Sequence, residues 1–173
     1  YCLDALKKAG ADKAACSMNM MEKKELNVEI GEMTLLRTTF NNNMGISVIK
    51  DQKKGSTSIN KTDKGSIDTA VALVMAMAEG SQPDDAYDIA EKQPSKSFSK
   101  GDESANLDTM YQSLEEFVDY VKSTYPIIQL EAAIMDFNHS RSFFQNTNGV
   151  DFEIREGMYS FSPMFLSKDG KDT

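Results

Sequence analysis

Few side chains in this sequence could carry out catalysis or bind a metal. His139 is the only histidine. A zinc site of the His-Glu-x-x-His type needs two histidines one helical turn apart, so that both face one ion. A site built from His139, Asp136 and a remote carboxylate is an alternative. A polar histidine at the end of a strand is the simpler interpretation of the same residues.

The two cysteines, Cys2 and Cys16, are also weak candidates for catalysis. A cysteine nucleophile needs a base beside it, and the sequence leaves open where His139 lies relative to Cys16. A small hydrolase that uses Cys16 or His139 is one hypothesis, but a small buried side chain is the favoured interpretation of Cys16. Because the spacing is not Cys-x-x-Cys and a disulfide framework normally needs more cysteines, we expect free thiols in a reducing cytoplasm.

Glycines and lysines give no strong sign of an anion site. Gly45 and Gly55 are isolated, and no glycine-rich loop joins a strand to a helix. Lys61, Lys64 and Gly65 lie at the start of a predicted helix, where simple helix capping explains the sequence better. We therefore expect no phosphate cradle here.

Charge and hydropathy exclude several kinds of partner. The net charge is -8, and the three arginines are scattered, which disfavours direct binding of nucleic acid. No apolar run approaches the ~20 residues that a membrane span needs. The opening YCLDALKKAG is typical of a helix and not of a secretory leader. We expect both ends to continue into a longer chain.

Apolar periodicity predicts the elements that would position these residues. The spacing predicts helices over 2–9, 63–80 and 107–125. Alternation predicts strands over 26–30, 33–40, 45–50, 56–60, 129–134, 150–155 and 158–166. Residues 22–25 are predicted to bend, residues 41–43 to form a polar loop, and residues 50–55 to form a charged turn.

The order of these elements predicts an α+β protein. We expect antiparallel sheets with helices packed on one face, and a possible internal duplication of a helix–meander unit. The predicted organisation is a first lobe over 1–80, a linker or long loop over 81–105 and a second lobe over 106–173. Together these would form the amino-terminal domain of a longer chain.

Several stretches resemble the amino-terminal domain of the TldD/PmbA family. They are ELNVEIGEM (25–33), NNMGISVIKDQKKGSTSIN (42–60), the Ala/Val/Met helix with SQPDDAYD (81–88), and FFQNTNGVDFEIREGMYSFSPMF (143–165). The resemblance covers nearly the full chain except 89–105. It is closer to PmbA, also called TldE, than to TldD.

This resemblance implies a function that the residues alone do not indicate. Members of the family were first described as modulators of DNA gyrase and are regarded as peptidases, which act in the cytoplasm as dimers. Zinc is held in the catalytic subunit by a His-Glu-x-x-x-His helix and a cysteine of the carboxy-terminal domain. Residues 1–173 contain no such motif, so no catalytic residue is carried over and zinc is expected in a missing domain or a partner subunit.

The hypothesis that follows is a non-catalytic segment that encloses a peptide and takes part in dimerisation, with a TldD-like partner or with a second copy. Asn41, Asn42 and Asn43 are the candidate peptide contacts, because an extended peptide could pair with an exposed strand edge near them. The alternative is a regulatory module of the gyrase-modulator type that binds a protein and has no peptidase activity. Whether the chain belongs to an enzyme is open from sequence.

Overall fold

The computed structural model describes residues 1–167. Along the chain lie α1 (Cys2–Lys8), β1 (Lys13–Glu29), β2 (Glu32–Lys50), β3 (Lys53–Ile59), α2 (Lys64–Gly80), β4 (Lys96–Lys100), α3 (Leu107–Thr124), β5 (Ile128–Asn146) and β6 (Asp151–Ser167). The strands form one sheet in the order β3-β2-β1-β5-β6-β4. The predicted α+β class is confirmed.

The strands are longer than the sequence pattern predicts. Residues 22–25 lie inside β1 and residues 41–43 lie inside β2, so the predicted bend and the predicted polar loop are both wrong. Apart from Val150, the predicted runs at 150–155 and 158–166 likewise belong to the single strand β6. A strand is held by backbone hydrogen bonds and therefore continues through stretches whose side chains show no clear alternation.

The predicted linker 81–105 contains a strand of its own. β4 occupies Lys96–Lys100, and all of its residues are exposed, which explains why no apolar alternation marks it. The end of the predicted second lobe, residues 168–173, lies outside the described residues. No helix within residues 1–167 has the length and apolar character required to span a membrane.

Contacts group the chain into two compact units. Unit 1 comprises Tyr1–Met21, Asn41–Ser99 and Ser140–Arg155, and unit 2 comprises Glu22–Phe40, Lys100–His139 and the chain from Glu156 onward. This grouping differs from the sequential division into 1–80, 81–105 and 106–173, because β1, β2, β5 and β6 each run through both units.

The core of unit 1 forms around α2. Asp63 caps this helix by accepting a hydrogen bond from the Ser66 N–H at 3.0 Å. Its buried face packs with residues of α1, β1 and β2. The buried residues of this core are Cys2, Leu6, Ala14, Cys16, Met44, Ile46, Val48, Ile67, Ala70, Val71, Val74, Met75 and Ala78.

The core of unit 2 forms around α3. Asn106 caps this helix by accepting from the Thr109 N–H at 3.1 Å, as its sequence position predicts. The buried residues of this core come from α3 and from neighbouring strands; they are Leu26, Val28, Met110, Leu114, Val118, Val121, Leu130, Ala133 and Phe137.

Candidate peptide-contact strand

The β2–β3 hairpin ends in a two-residue turn. Its antiparallel register runs from Met44 opposite Ile59 to Lys50 opposite Lys53. Asp51 and Gln52 form the turn with φ of 51° and 60°, the left-handed conformation that matches the twist of a hairpin. The predicted charged turn over 50–55 is therefore shorter in the structure, and Lys53 already belongs to β3.

Gly55 explains why a glycine stands in the Lys-Lys-Gly-Ser stretch of β3. A Cβ atom at this position would collide with the backbone carbonyl of Val74 and the backbone N–H of Ala78, both in α2. Only the absence of a side chain lets the strand approach the helix this closely. The glycine therefore serves packing and not ligand binding.

The segment after α2 fastens onto the same hairpin. The Asp84 N–H donates to the Gln52 carbonyl at 2.8 Å, and the Lys54 N–H donates to Ser81 Oγ at 3.1 Å. The Lys54 ammonium also lies 5.7 Å from the centre of the Tyr87 ring. The residues of SQPDDAYD and of the hairpin, which carried the family resemblance, thus hold one another in place as a structural unit.

The first part of β2 differs from the hairpin. Every residue from Thr34 to Asn43 is exposed. The β3 register begins opposite Met44, and β1 is the other neighbour of β2 in the sheet. Within residues 1–167, the side of β2 that faces β3 in the hairpin therefore has no strand partner over 34–43.

Asn41, Asn42 and Asn43 lie at the end of this exposed stretch, immediately before the paired hairpin. Asn43 borders a broad concavity of about 840 Å³ together with residues of β3 and of the start of α2. It also borders a smaller one of about 220 Å³ that contains Phe143, Phe144 and Phe152. All three asparagines are thus accessible, and Asn43 also has both polar and aromatic surroundings.

Unit 2 contains a cluster of charged side chains that no motif or spacing in the sequence predicts. Lys23 Nζ lies 2.8 Å from Glu25 Oε2 and 3.4 Å from Asp136 Oδ2, and Arg37 lies 2.8 Å from Glu25 Oε1. Glu25 is only 3% exposed. The hydrogen bond from Lys23 holds the pKa of Glu25 below its ordinary value. Because residues 22–25 were predicted to bend, no face could be assigned to Glu25 from sequence.

Of the residues considered for metal binding or hydrolysis, Asp136 and Cys16 contact other side chains. Asp136 accepts hydrogen bonds from Asn138 at 2.5 Å and from Ser160 Oγ at 2.8 Å, in addition to its contact with Lys23. His139 lies half-buried in β5. Cys16 Sγ donates to Cys2 Sγ. These contacts give Cys16 a thiol as its partner and give Asp136 a structural role in unit 2.

The start of α2 is capped, and two of the arginines weighed as nucleic-acid contacts have an acidic partner. Asp63 accepts from both the backbone N–H and the hydroxyl of Ser66, so capping accounts for the start of α2. Arg141 and Arg155 both contact Glu153 Oε1, at 2.6 Å and 2.8 Å. Two of the three arginines therefore share the single carboxylate of Glu153, which offsets one of their two charges.

The residues present do not fit the zinc site that the family resemblance implies. Among residues 1–167, no three side chains of His, Cys, Asp or Glu come together as a possible metal-binding group. The sequence also contains only one histidine. No chemical step through zinc can therefore be assigned to residues 1–167.

Three solved structures have a fold similar to that of this chain. TldE from Thermococcus kodakarensis matches with a TM-score of 0.81 and 16% identity, over 98% of this chain and 39% of its own. A protein of Bacteroides thetaiotaomicron named as a modulator of DNA gyrase matches with a TM-score of 0.82 and 14% identity, over 99% and 41%. One from Thermotoga maritima, also named so, matches with 0.71 and 12%, over 98% and 39%.

These matches concern structure and not sequence. No protein-family model matches the sequence, and no curated protein matches it either. The chain spans about two fifths of the length of the solved structures that it matches. The chain therefore has the fold found in TldE and in proteins named as modulators of DNA gyrase, which confirms the fold that the TldD/PmbA resemblance implied.

Proposed function

We propose that this chain is the amino-terminal, non-catalytic segment of a cytoplasmic TldD/PmbA-type zinc metallopeptidase complex, which degrades or trims peptides. Its role is to form part of the wall of the chamber in which an extended peptide is held, and to take part in dimerisation. The observation that carries this proposal is the exposed stretch Thr34–Asn43 of β2, which has an open side for backbone pairing within residues 1–167.

An open strand edge suits a peptide of variable sequence. Its free backbone N–H and C=O groups pair with any extended chain, while side chains near the edge add limited selectivity. Asn41, Asn42 and Asn43 would supply such side-chain hydrogen bonds. Amide side chains both donate and accept, so they tolerate many peptide sequences.

Exposed apolar side chains support the proposal of dimerisation. In unit 2, Leu36 and Phe40 of β2 are 59% and 72% exposed, and Met158 and Met164 of β6 are 63% and 58% exposed. Leu36 and Phe40 are four residues apart in one strand, and Met158 and Met164 are six apart in another, so each pair lies on one face of its strand. Exposed apolar patches are typical of protein–protein contacts. The partner would be a TldD-like subunit that carries zinc, or a second copy of this chain.

The experiment uses the full-length chain together with a zinc-bearing partner subunit. Binding of an unfolded peptide is measured by fluorescence anisotropy for wild type and for the triple variant Asn41→Ala, Asn42→Ala, Asn43→Ala. We expect the triple variant to bind at least roughly tenfold more weakly, since three lost hydrogen bonds at about 0.5 kcal/mol each, the low end of the usual range, already total about 1.5 kcal/mol. Peptide cleavage should appear only when the zinc-bearing partner is added.

The control variant replaces Gln112 and Ser113 by alanine on the exposed side of α3. It should bind the peptide like wild type. Unchanged binding by the asparagine variant would show that this local role is wrong. If no peptide is cleaved with any zinc-bearing partner while the chain still binds another protein, the regulatory module becomes the better interpretation.

A further inference from the structure

The two cysteines of the sequence meet in the core of unit 1. Cys2 is the first residue of α1 and Cys16 lies in β1, and they are 6% and 9% exposed. Their Sγ atoms are 3.3 Å apart, with the Cys16 thiol donating to the Cys2 sulfur. Both cysteines are free. Two buried thiols in mutual contact can take part together in thiol–disulfide exchange, which a single buried thiol could not complete within one molecule.

A cavity reaches this pair. It has a volume of about 390 Å³ and is lined by both cysteines and by apolar side chains that include Met18, Met44 and Phe143. The cavity is large enough for a molecule of several non-hydrogen atoms. A small uncharged reagent therefore has access to sulfur atoms that are almost fully shielded from bulk water.

The contact between the two thiols makes them chemically unequal. The hydrogen bond from Cys16 lowers the pKa of Cys2, while the same bond and burial raise the pKa of Cys16. A thiolate is the attacking species in thiol–disulfide exchange. Cys2 is therefore the residue that attacks first, and Cys16 is the residue that follows.

We propose that Cys2 and Cys16 form a site of reversible oxidation, at which a disulfide of low molecular weight oxidises them to an intramolecular disulfide. The Cys2 thiolate attacks one sulfur of the small disulfide, forms a mixed disulfide and releases one small thiolate. Cys16 then attacks the Cys2 sulfur and releases the second. The two protons lost by the cysteines pass to the two released thiolates, so the protein is oxidised by two electrons and the reagent is reduced.

The second step requires only a small movement of the two sulfur atoms, which already lie 3.3 Å apart. A disulfide has a sulfur–sulfur bond of about 2.05 Å, so the two Sγ atoms must approach by roughly a further 1.3 Å. The product would join the start of α1 to β1 within one compact unit. This site is separate from the open edge of β2 and does not rest on the proposed peptide-binding function.

The test is peptide mapping by mass spectrometry of the folded, reduced, full-length protein after treatment with bis(2-hydroxyethyl) disulfide. Trypsin cleaves after Lys7, Lys13 and Lys23, so the two cysteines fall in different peptides. We expect a linked pair of these peptides to become the main species and to disappear after reduction with dithiothreitol. Circular dichroism before and after treatment monitors whether the protein stays folded.

Two variants separate the roles of the thiols. Cys16→Ser should stop the reaction at a mixed disulfide on Cys2, whereas Cys2→Ser should leave Cys16 mostly unmodified. The proposal is overturned if wild type keeps both thiols, accumulates a stable mixed disulfide on Cys2, or links Cys2 of one molecule to Cys2 of another. Since the decisive measurement is made on wild type, a variant that fails to fold does not affect it.

Discussion

The two compact units differ in the kind of polar side chain that each buries. In unit 1 the buried polar side chain is the neutral Asn146, which donates to the Ala90 carbonyl and accepts from the Val150 N–H. In the described part of unit 2 the buried polar side chains are the carboxylates Glu25 and Asp136, which share Lys23. A neutral amide satisfied by the backbone keeps its charge state at any pH, whereas the Glu25 carboxylate, whose pKa is held below its ordinary value by Lys23, loses its charge in acid. The stability of unit 2 should therefore respond to acid more strongly.

The replacement Glu25→Ala is the strongest way to test this difference. It leaves Lys23 and Arg37 without the carboxylate between them, and we expect a loss of about 3 kcal/mol in the free energy of unfolding. This is the lower end for breaking a buried ion pair, because both cations keep some access to solvent. Urea denaturation measures the loss, and hydrogen exchange should place it in unit 2.

The pH dependence of the same position gives a second measurement. The pKa of Glu25 is depressed by Lys23 from its ordinary value of 4.5. In the unfolded chain Glu25 therefore takes up a proton at higher pH than in the folded chain. Its contribution to the free energy of unfolding is complete above the ordinary pKa of 4.5. It is lost as the pH falls through the folded pKa. The difference in stability between wild type and Glu25→Gln should shrink over this acid range, and a constant difference would contradict the assignment.

Gly55→Ala tests the close packing that is particular to unit 1. A methyl group there must displace the backbone of α2 at Val74 and Ala78, and we expect a loss of about 1–3 kcal/mol. Gly80→Ala is the matched control, since nothing lies within 4 Å of a Cβ at that position. It should stay within about 1 kcal/mol of wild type. Equal effects of the two substitutions in thermal unfolding would argue against the close approach.

Removing the helix caps of α2 and α3 should give the smallest losses of stability, and the two losses can be compared directly. Asn106→Ala removes the cap of α3 and should cost about 1 kcal/mol at any pH. Asp63→Ala removes the cap of α2, but the hydrogen bonds from Ser66 hold the pKa of Asp63 below its ordinary value. Its stabilising effect is therefore present at neutral pH and is lost as the pH falls through that depressed pKa. Denaturation at neutral and acid pH should distinguish the two caps.

The sequence predicts what depends on local chemistry. The caps Asp63 and Asn106, the two amphipathic helices and the hairpin near residues 41–60 follow from spacing and turn residues that act within a few positions. The strand continuity through residues 22–25 and 41–43 could not be predicted, because it depends on neighbouring strands. The same holds for β4, whose residues are all exposed.

The candidate site was predictable only in part. The family resemblance led to Asn41–Asn43, but the sequence placed them in a loop, whereas the structure places them in a strand with an open side within residues 1–167. The contacts of Cys2 with Cys16, and of Lys23 with Asp136, join residues far apart in the chain. No periodicity within one segment carries that information. The burial of the two cysteines and the difference between their pKa values also become visible only in three dimensions.

The open stretch Thr34–Asn43 has a consequence for the handling of this protein. A strand with free backbone groups and exposed Leu35, Leu36 and Phe40 is a template on which other copies can assemble into cross-β fibrils. Arg37, inside the apolar run, acts as a charged gatekeeper, and the net charge of -8 keeps copies apart at low ionic strength. High salt removes that repulsion, so aggregation of the isolated chain should begin at this strand whenever nothing covers it.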